Sequence, residues 1–201
     1  MLRLYDYLPS GNGYKVRLLL ARLGIAYERV EVDILRGESR TPAFLAKNPN
    51  GRIPIVELED GTVLVESNAI LWHFADGTPL LAADRRARTD TLRWMFFEQN
   101  LHEPNIATAR FWMRYVDLTP VRRAALEIKR QLGTEALGVM ESHLRGRAFF
   151  VGERCSIADI ALYAYTHVAD EGGFDLGPYP AIRAWLARVR GEPGHVPITA
   201  G

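Results

Sequence analysis

Residues 52–70 constrain this chain more than any other stretch. Arg52-Ile53-Pro54-Ile55-Val56-Glu57-Leu58 is a β-branched run entered through a proline, and Glu59-Asp60-Gly61-Thr62 carries an Asp-Gly hairpin signal. Val63-Leu64-Val65 is a second short run that ends in Glu66-Ser67, an acid and a hydroxyl opening an apolar helical pattern. This order sets a strand edge beside a helix N-terminus. The first can pair with an extended peptide, and the second can hold a carboxylate.

The rest of the N-terminal half fits around that unit. Leu2 to Tyr7 alternates at period two and reads as a strand; Pro9 to Gly13 is loop and helix start; Lys15 to Leu23 is helical, with Gly24 a natural stop. Tyr27 to Val32 alternates again, so two parallel strands are joined through a helix. Thr41-Pro42 pairs an N-cap with proline at the first helical position, and Asn48-Pro49-Asn50-Gly51 breaks that short helix. The order βαβ, α, ββα predicts a thioredoxin-like α/β domain over residues 1–78: a four-stranded mixed sheet with helices on both faces.

Beyond a linker at Asp76-Gly77-Thr78-Pro79, every pattern is helical. Helices are predicted from Ala83 to about Tyr115 with a bend near Pro104, from Pro120 to about Leu144, from Ser156 to about Val168, and from Tyr179-Pro180 to Arg190. The second domain is expected to be all-α and to span residues 84–201. A chain of 201 residues accommodates two small domains comfortably.

Composition narrows the function classes. With 25 basic and 24 acidic residues, the formal charge of +1 argues against a nucleic-acid or membrane-surface protein. One cysteine, Cys155, excludes an internal disulfide framework and a Cys-x-x-Cys redox pair. The five histidines show no zinc-ligand spacing, so no metal is expected. The absence of a charged-then-apolar leader and of any membrane-length apolar run predicts a soluble, cytoplasmic protein.

Three short constellations carry chemistry. Ser10-Gly11-Asn12-Gly13 lies between the first strand and the first helix, where a small polar side chain points at whatever the helix N-terminus binds. A thiol held there is acidified by the helix end and by hydroxyl or amide donors. Ile53-Pro54, if cis, turns the Ile53 backbone outward toward a ligand's main chain. Glu66-Ser67 offers a capping hydroxyl and N–H groups to an α-carboxylate, with Glu66 placed for the adjacent α-amino group. Such a pocket suits a small zwitterionic peptide such as glutathione. Ser156-Ile157-Ala158-Asp159 is a capping box with aspartate in place of glutamate and reads as structural, worth on the order of 1 kcal/mol. Of the aromatics crowding the long helical stretch, Phe111, Trp112 and Tyr115 are candidates for an apolar second-substrate pocket. Glu98, His102 and Glu103 read as solvated or interface residues.

Four blocks, Tyr5 to Leu20, Phe44 to Pro54, Glu66 to Ile70 and Ser156 to Asp159, together make the chain resemble a cytosolic glutathione S-transferase of bacterial type. The resemblance implies that Pro54 is cis, that Ile53 pairs with the cysteinyl backbone of glutathione, and that Glu66 and Ser67 hold its γ-glutamyl end. It further implies that Arg40 and Arg52, with Lys47 a further candidate, reach the glycyl carboxylate. The first loop would stabilise the thiolate through Ser10 with Asn12, and Tyr7 remains an alternative. With no cysteine in that loop, a protein-thiol mechanism is disfavoured. The expected activity is glutathione transfer to a small electrophile, with glutathione as co-substrate. The alternatives are glutathione-dependent disulfide reduction and a non-catalytic binding protein. The family is usually homodimeric, and Glu98 and Gln99 would face the partner subunit's ligand.

Overall fold

The computed structural model describes all residues, Met1–Gly201. The chain divides into two compact units, one comprising Met1–Thr78 with Pro193–Gly201, the other Pro79–Glu192.

The first unit contains a four-stranded sheet of β1 (Arg3–Asp6), β2 (Glu28–Glu31), β3 (Ile55–Glu57) and β4 (Val63–Val65), in the order β2-β1-β3-β4. β1 runs parallel to β2 and antiparallel to β3, and β3 is antiparallel to β4. The helices are α1 (Gly11–Leu23), α2 (Pro42–Lys47) and α3 (Ser67–Ala75), and a 3₁₀ turn covers Glu38–Arg40. This is the thioredoxin-like arrangement expected from the element order. The first strand is shorter than its alternation implied and leaves Tyr7 outside it, because the backbone turns at Tyr7: its carbonyl accepts from Ser10 N–H at 2.7 Å.

Period-two alternation sorts the sheet's two faces. Leu4 lies opposite Val56, and both join Leu2, Val16, Leu20 and Ile70 in one core. Tyr5 lies opposite Ile55 and shares the other face with Val32 and Phe44. Helix α1 is buried almost all round from Tyr14 to Leu20, so Lys15 and Arg17 are carried fully inside. Gly24 ends the helix at φ 66° and donates to the Ala21 and Leu20 carbonyls, a conformation that costs a residue without Cβ little.

The last nine residues, assigned from sequence to the helical half, group with the sheet. Arg17 Nη1 donates to the Ile198 carbonyl at 2.8 Å and to that of Ala200, and Tyr14 Oη donates to Val196 O at 2.7 Å.

The second unit is helical: α4 (Arg85–Phe97), α5 (Glu103–Tyr115), α6 (Pro120–Leu144), α7 (Ile157–Thr166) and α8 (Pro180–Gly191). The bend expected near Pro104 is a π-helical turn over Glu98–His102. Proline at the start of α5 cannot donate to the preceding turn, and the ladder widens just before it. Glu98 and His102 are fully buried within the single chain, with His102 Nε2 and Thr166 Oγ1 2.8 Å apart. This corrects the solvated or interface role expected for them. Gln99 donates to Glu98 Oε2 at 2.9 Å, so Glu98 is held inside its own unit rather than offered to a partner.

Asp159 organises this core. It accepts from Ser156 N–H (2.8 Å), Ser156 Oγ (2.9 Å), Phe150 N–H (3.0 Å) and Trp185 Nε1 (2.9 Å). The expected capping box is present, and two further donors from distant sequence converge on the same carboxylate. Burial pushes its pKa up, and the donors pull it back.

Candidate functional site

Strand register brings the predicted site residues of the first unit to one end of the sheet. Tyr5 pairs with Ile55, and Ile55 with Val65, in antiparallel ladders. One step further along these directions lie Asp6, Pro54 and Glu66; two steps on lie Tyr7, Ile53 and Ser67. The Ile53–Pro54 peptide bond is cis. The first-loop residues, the proline turn and the Glu66-Ser67 pair therefore share that end of the sheet, although they are far apart in sequence; β3 itself lies between β1 and β4 and is not the edge strand its proline suggested.

Ser10 is the N-cap of α1 and its Oγ accepts from Gly13 N–H at 3.3 Å. The cap uses the oxygen as an acceptor and leaves the O–H to donate. Asn12 is in the first turn, and its Oδ1 accepts from Ser67 Oγ at 3.3 Å. Ser67 opens α3 and is nearly buried, whereas Glu66 is exposed. Neither α1 nor α3 carries an acid in its first turn. The positive ends of both helices are thus uncompensated by side chains of those turns, a setting that favours anions.

Glu66 is the one non-glycine residue with positive φ, at 67° with ψ 114°. A side chain there costs about 1–3 kcal/mol of backbone strain, which an exposed residue retains only if its placement matters. The strain had no signal in the sequence.

Asn48 shapes the turn before Ile53. It is buried, its Nδ2 donates to Arg52 O at 2.8 Å, and its Oδ1 accepts from Asn50 N–H at 3.1 Å. Arg40 Nη1 donates to Asn50 O at 3.0 Å, so Arg40 and Arg52, both exposed, are attached to one turn. Sequence reading treated Asn48 only as a helix breaker; its buried side chain sets the path into Ile53-Pro54. Lys47 is otherwise engaged: its Nζ lies 2.8 Å from Glu57 Oε2, which also accepts from Tyr5 Oη at 2.7 Å. The hydrogen bond with Glu57 raises the Lys47 pKa, and the hydrogen bonds from Lys47 and Tyr5 lower that of Glu57.

Asp6 and Arg17 form a fully buried pair behind the first loop, Nε to Oδ2 2.8 Å, and Arg17 Nη2 donates to Leu8 O at 2.6 Å. Desolvation raises the Asp6 pKa to about 6 even though Arg17 opposes it. In the second unit, Phe111, Trp112 and Tyr115 lie at the C-terminal end of α5. Phe111 and Tyr115 are in ring contact at 5.3 Å, and Phe111 is exposed.

A thioredoxin-like sheet with a cis-proline, and a separate all-helical unit, define a class of two-domain folds. Models of known families make the assignment. The glutathione S-transferase N-terminal domain matches residues 1–76, and the glutathione S-transferase C-terminal domain matches residues 105–193. The chain belongs to the glutathione S-transferase family. It is 55% identical to a glutathione S-transferase of Pseudomonas fluorescens of known structure, with TM-score 0.97 and 99% of both chains covered. It is 30% identical to the disulfide-bond oxidoreductase YfcG of Escherichia coli, over 96% of this chain and 92% of that protein. A solved structure of Ure2p in complex with glutathione is 27% identical, with TM-score 0.86, covering 96% of this chain and 90% of that one.

Proposed function

We propose that this protein transfers the thiolate of glutathione to a small electrophile. The observation that carries this reading is the Ser67–Asn12 hydrogen bond, which joins two helices whose first turns carry no acid at the end of the sheet bearing Ile53-Pro54. A tripeptide with an anionic sulfur and an anionic γ-glutamyl carboxylate matches that end.

The roles divide by chemistry. Ile53 offers main-chain N–H and C=O to the cysteinyl backbone. Ser67 and the α3 N-terminus receive the γ-glutamyl carboxylate, and Glu66 receives its α-amino group. Arg40 and Arg52 receive the glycyl carboxylate. Ser10 donates its O–H to the sulfur, and Asn12 assists. Glutathione supplies the nucleophile, and the chain's work is desolvation, orientation and thiolate stabilisation. Assembly as a homodimer and a cytoplasmic location accompany this reading.

Disulfide reduction is the second reading, supported by the likeness to an oxidoreductase. Cys155 is buried, so the protein offers no exposed thiol of its own. Two glutathione molecules would then be oxidised to their disulfide as a substrate disulfide is reduced to two thiols.

Calorimetric titration with glutathione, followed by assays with an aryl halide and a model disulfide, tests the proposal. Saturable binding with aryl conjugation dominant is expected. Binding with dominant disulfide reduction selects the second reading. Absence of binding leaves a protein that retains the fold alone and overturns both.

A further inference from the structure

Two segments of the first unit, the first loop at 7–10 and residues 195–200, belong to no helix or strand, so no backbone ladder holds either. One side chain joins them. Arg17, fully buried in α1, donates through Nε to Asp6 Oδ2 at 2.8 Å and through Nη2 to Leu8 O at 2.6 Å. Through Nη1 it donates to the carbonyls of Ile198, at 2.8 Å, and of Ala200. Every nitrogen of the guanidinium is thus engaged, and a planar fork held at three points cannot turn toward one partner without leaving another.

The consequence falls on Ser10. The Leu8 carbonyl is seated on Nη2, and Leu8 N–H donates to Glu31 Oε1 at 3.3 Å. Pro9 follows with its φ fixed by the ring, so a displacement of the Leu8 carbonyl passes to Ser10 with little to absorb it. The loop closes on itself, with Ser10 N–H donating to Tyr7 O at 2.7 Å. On the far side of the guanidinium, Ala200 N–H donates to Pro197 O at 3.0 Å and closes the turn that offers both carbonyls. Tyr14 Oη holds the same segment through Val196 O at 2.7 Å. A continuous set of contacts therefore runs from 196–200 through Arg17 to Leu8, and Ser10 lies two residues beyond.

We propose that Arg17 is a positioning residue for thiolate stabilisation: braced by the Ile198 and Ala200 carbonyls, it seats Leu8 and so fixes where the Ser10 hydroxyl meets the sulfur. The inference rests on the reading of Ser10 as donor to the sulfur of glutathione. Arg17 itself touches neither the sulfur nor the electrophile.

The test follows thiol ionisation of bound glutathione against pH by the ultraviolet absorbance of the thiolate, together with kcat for an aryl halide and glutathione affinity by calorimetry. Arg17→Lys keeps a cation against Asp6 but replaces the fork by a single nitrogen, which cannot span Asp6, Leu8 and the 198–200 turn together. Ala200→Pro removes the N–H that closes that turn and leaves Arg17 in place; it lies outside every helix and strand, and gives the readout should Arg17→Lys misfold. Each variant is expected to lower kcat roughly tenfold and to leave glutathione affinity within about twofold of the parent's, since only orientation at the sulfur is lost. The ionisation midpoint should rise by about half a pH unit. In a Ser10→Ala background both effects shrink severalfold, because residues acting in series are non-additive. Unchanged midpoint and kcat in either variant, or equal losses with and without the Ser10 hydroxyl, overturn the proposal. Parent protein that fails to bind glutathione overturns the functional reading, and the proposal with it.

Discussion

Gly13 and Asp6 are in direct apposition: a Cβ built on Gly13 would lie 1.5 Å from Asp6 Oδ1. The first turn of α1 packs onto a buried carboxylate, and hydrogen is the only side chain that fits. Gly13→Ala is expected to drive the carboxylate away from Arg17. Separating a buried pair typically costs about 3–5 kcal/mol, far more than the helix propensity alanine would add. Denaturant unfolding of the variant checks this; a midpoint equal to the parent's would mean that Asp6 moves aside freely.

The same carboxylate makes stability depend on pH. Asp6 has its pKa raised from 3.8 to about 6 in the folded chain, chiefly by burial. A carboxyl that binds its proton more tightly when folded stabilises the fold below about pH 4, and that contribution is lost as pH rises through about 6. Asp6→Asn should therefore flatten the decline in unfolding free energy across this window. Unfolding curves measured from pH 4 to 7 decide it, and parallel profiles for the two proteins would contradict the assignment.

Ser10 and Glu66 should fail in different ways. Ser10→Ala removes an N-cap, costing about 1 kcal/mol of stability, and is expected to lower kcat roughly tenfold as the bound thiol loses a donor. Equal thiol ionisation in both proteins would shift the role to Asn12 or Tyr7.

Glu66→Gly relieves the positive φ while deleting the carboxylate. Unfolding stability should be equal or slightly higher, because strain relief of about 1–3 kcal/mol offsets glycine's entropy cost of about 0.5–1 kcal/mol. Glutathione affinity is expected to fall roughly tenfold, the scale of one charge-assisted hydrogen bond. Glu66→Ala keeps the strain and loses the affinity. Calorimetry and melting curves on the two variants separate backbone from ligand effects.

Asp159→Ala leaves the Phe150 N–H, Ser156 N–H and Trp185 indole N–H without their buried acceptor. The expected loss is at least about 3 kcal/mol, several times that of a helix cap alone. Loss of only a cap's worth on denaturation would show that these donors find new partners.

Local rules account for most of what the sequence foretold. Thr41-Pro42 marks the start of α2, and Asp60-Gly61 the turn between β3 and β4, because capping and turn chemistry are written within a few residues. Ser10, Ile53-Pro54 and Glu66-Ser67 stand out as candidates since each punctuates an element. The burial of Lys15 has no such signal, because lysine is an ordinary helix former and its burial follows from α1 being covered on nearly every side. Arg17 with Ile198, and Asp159 with Trp185, join residues far apart in the chain, and no window of sequence holds both partners. The π turn was read as a bend because proline's missing donor predicts a disrupted ladder but not the form of the disruption.

The return of Pro193–Gly201 to the sheet unit makes that unit discontinuous along the chain. Cutting after Thr78 would strip the Ile198 and Ala200 carbonyls from Arg17 and the Val196 carbonyl from Tyr14. An isolated α/β fragment thus needs both segments, rejoined by a linker or with the second supplied as a peptide in trans, before the proposed site can be studied without the helices.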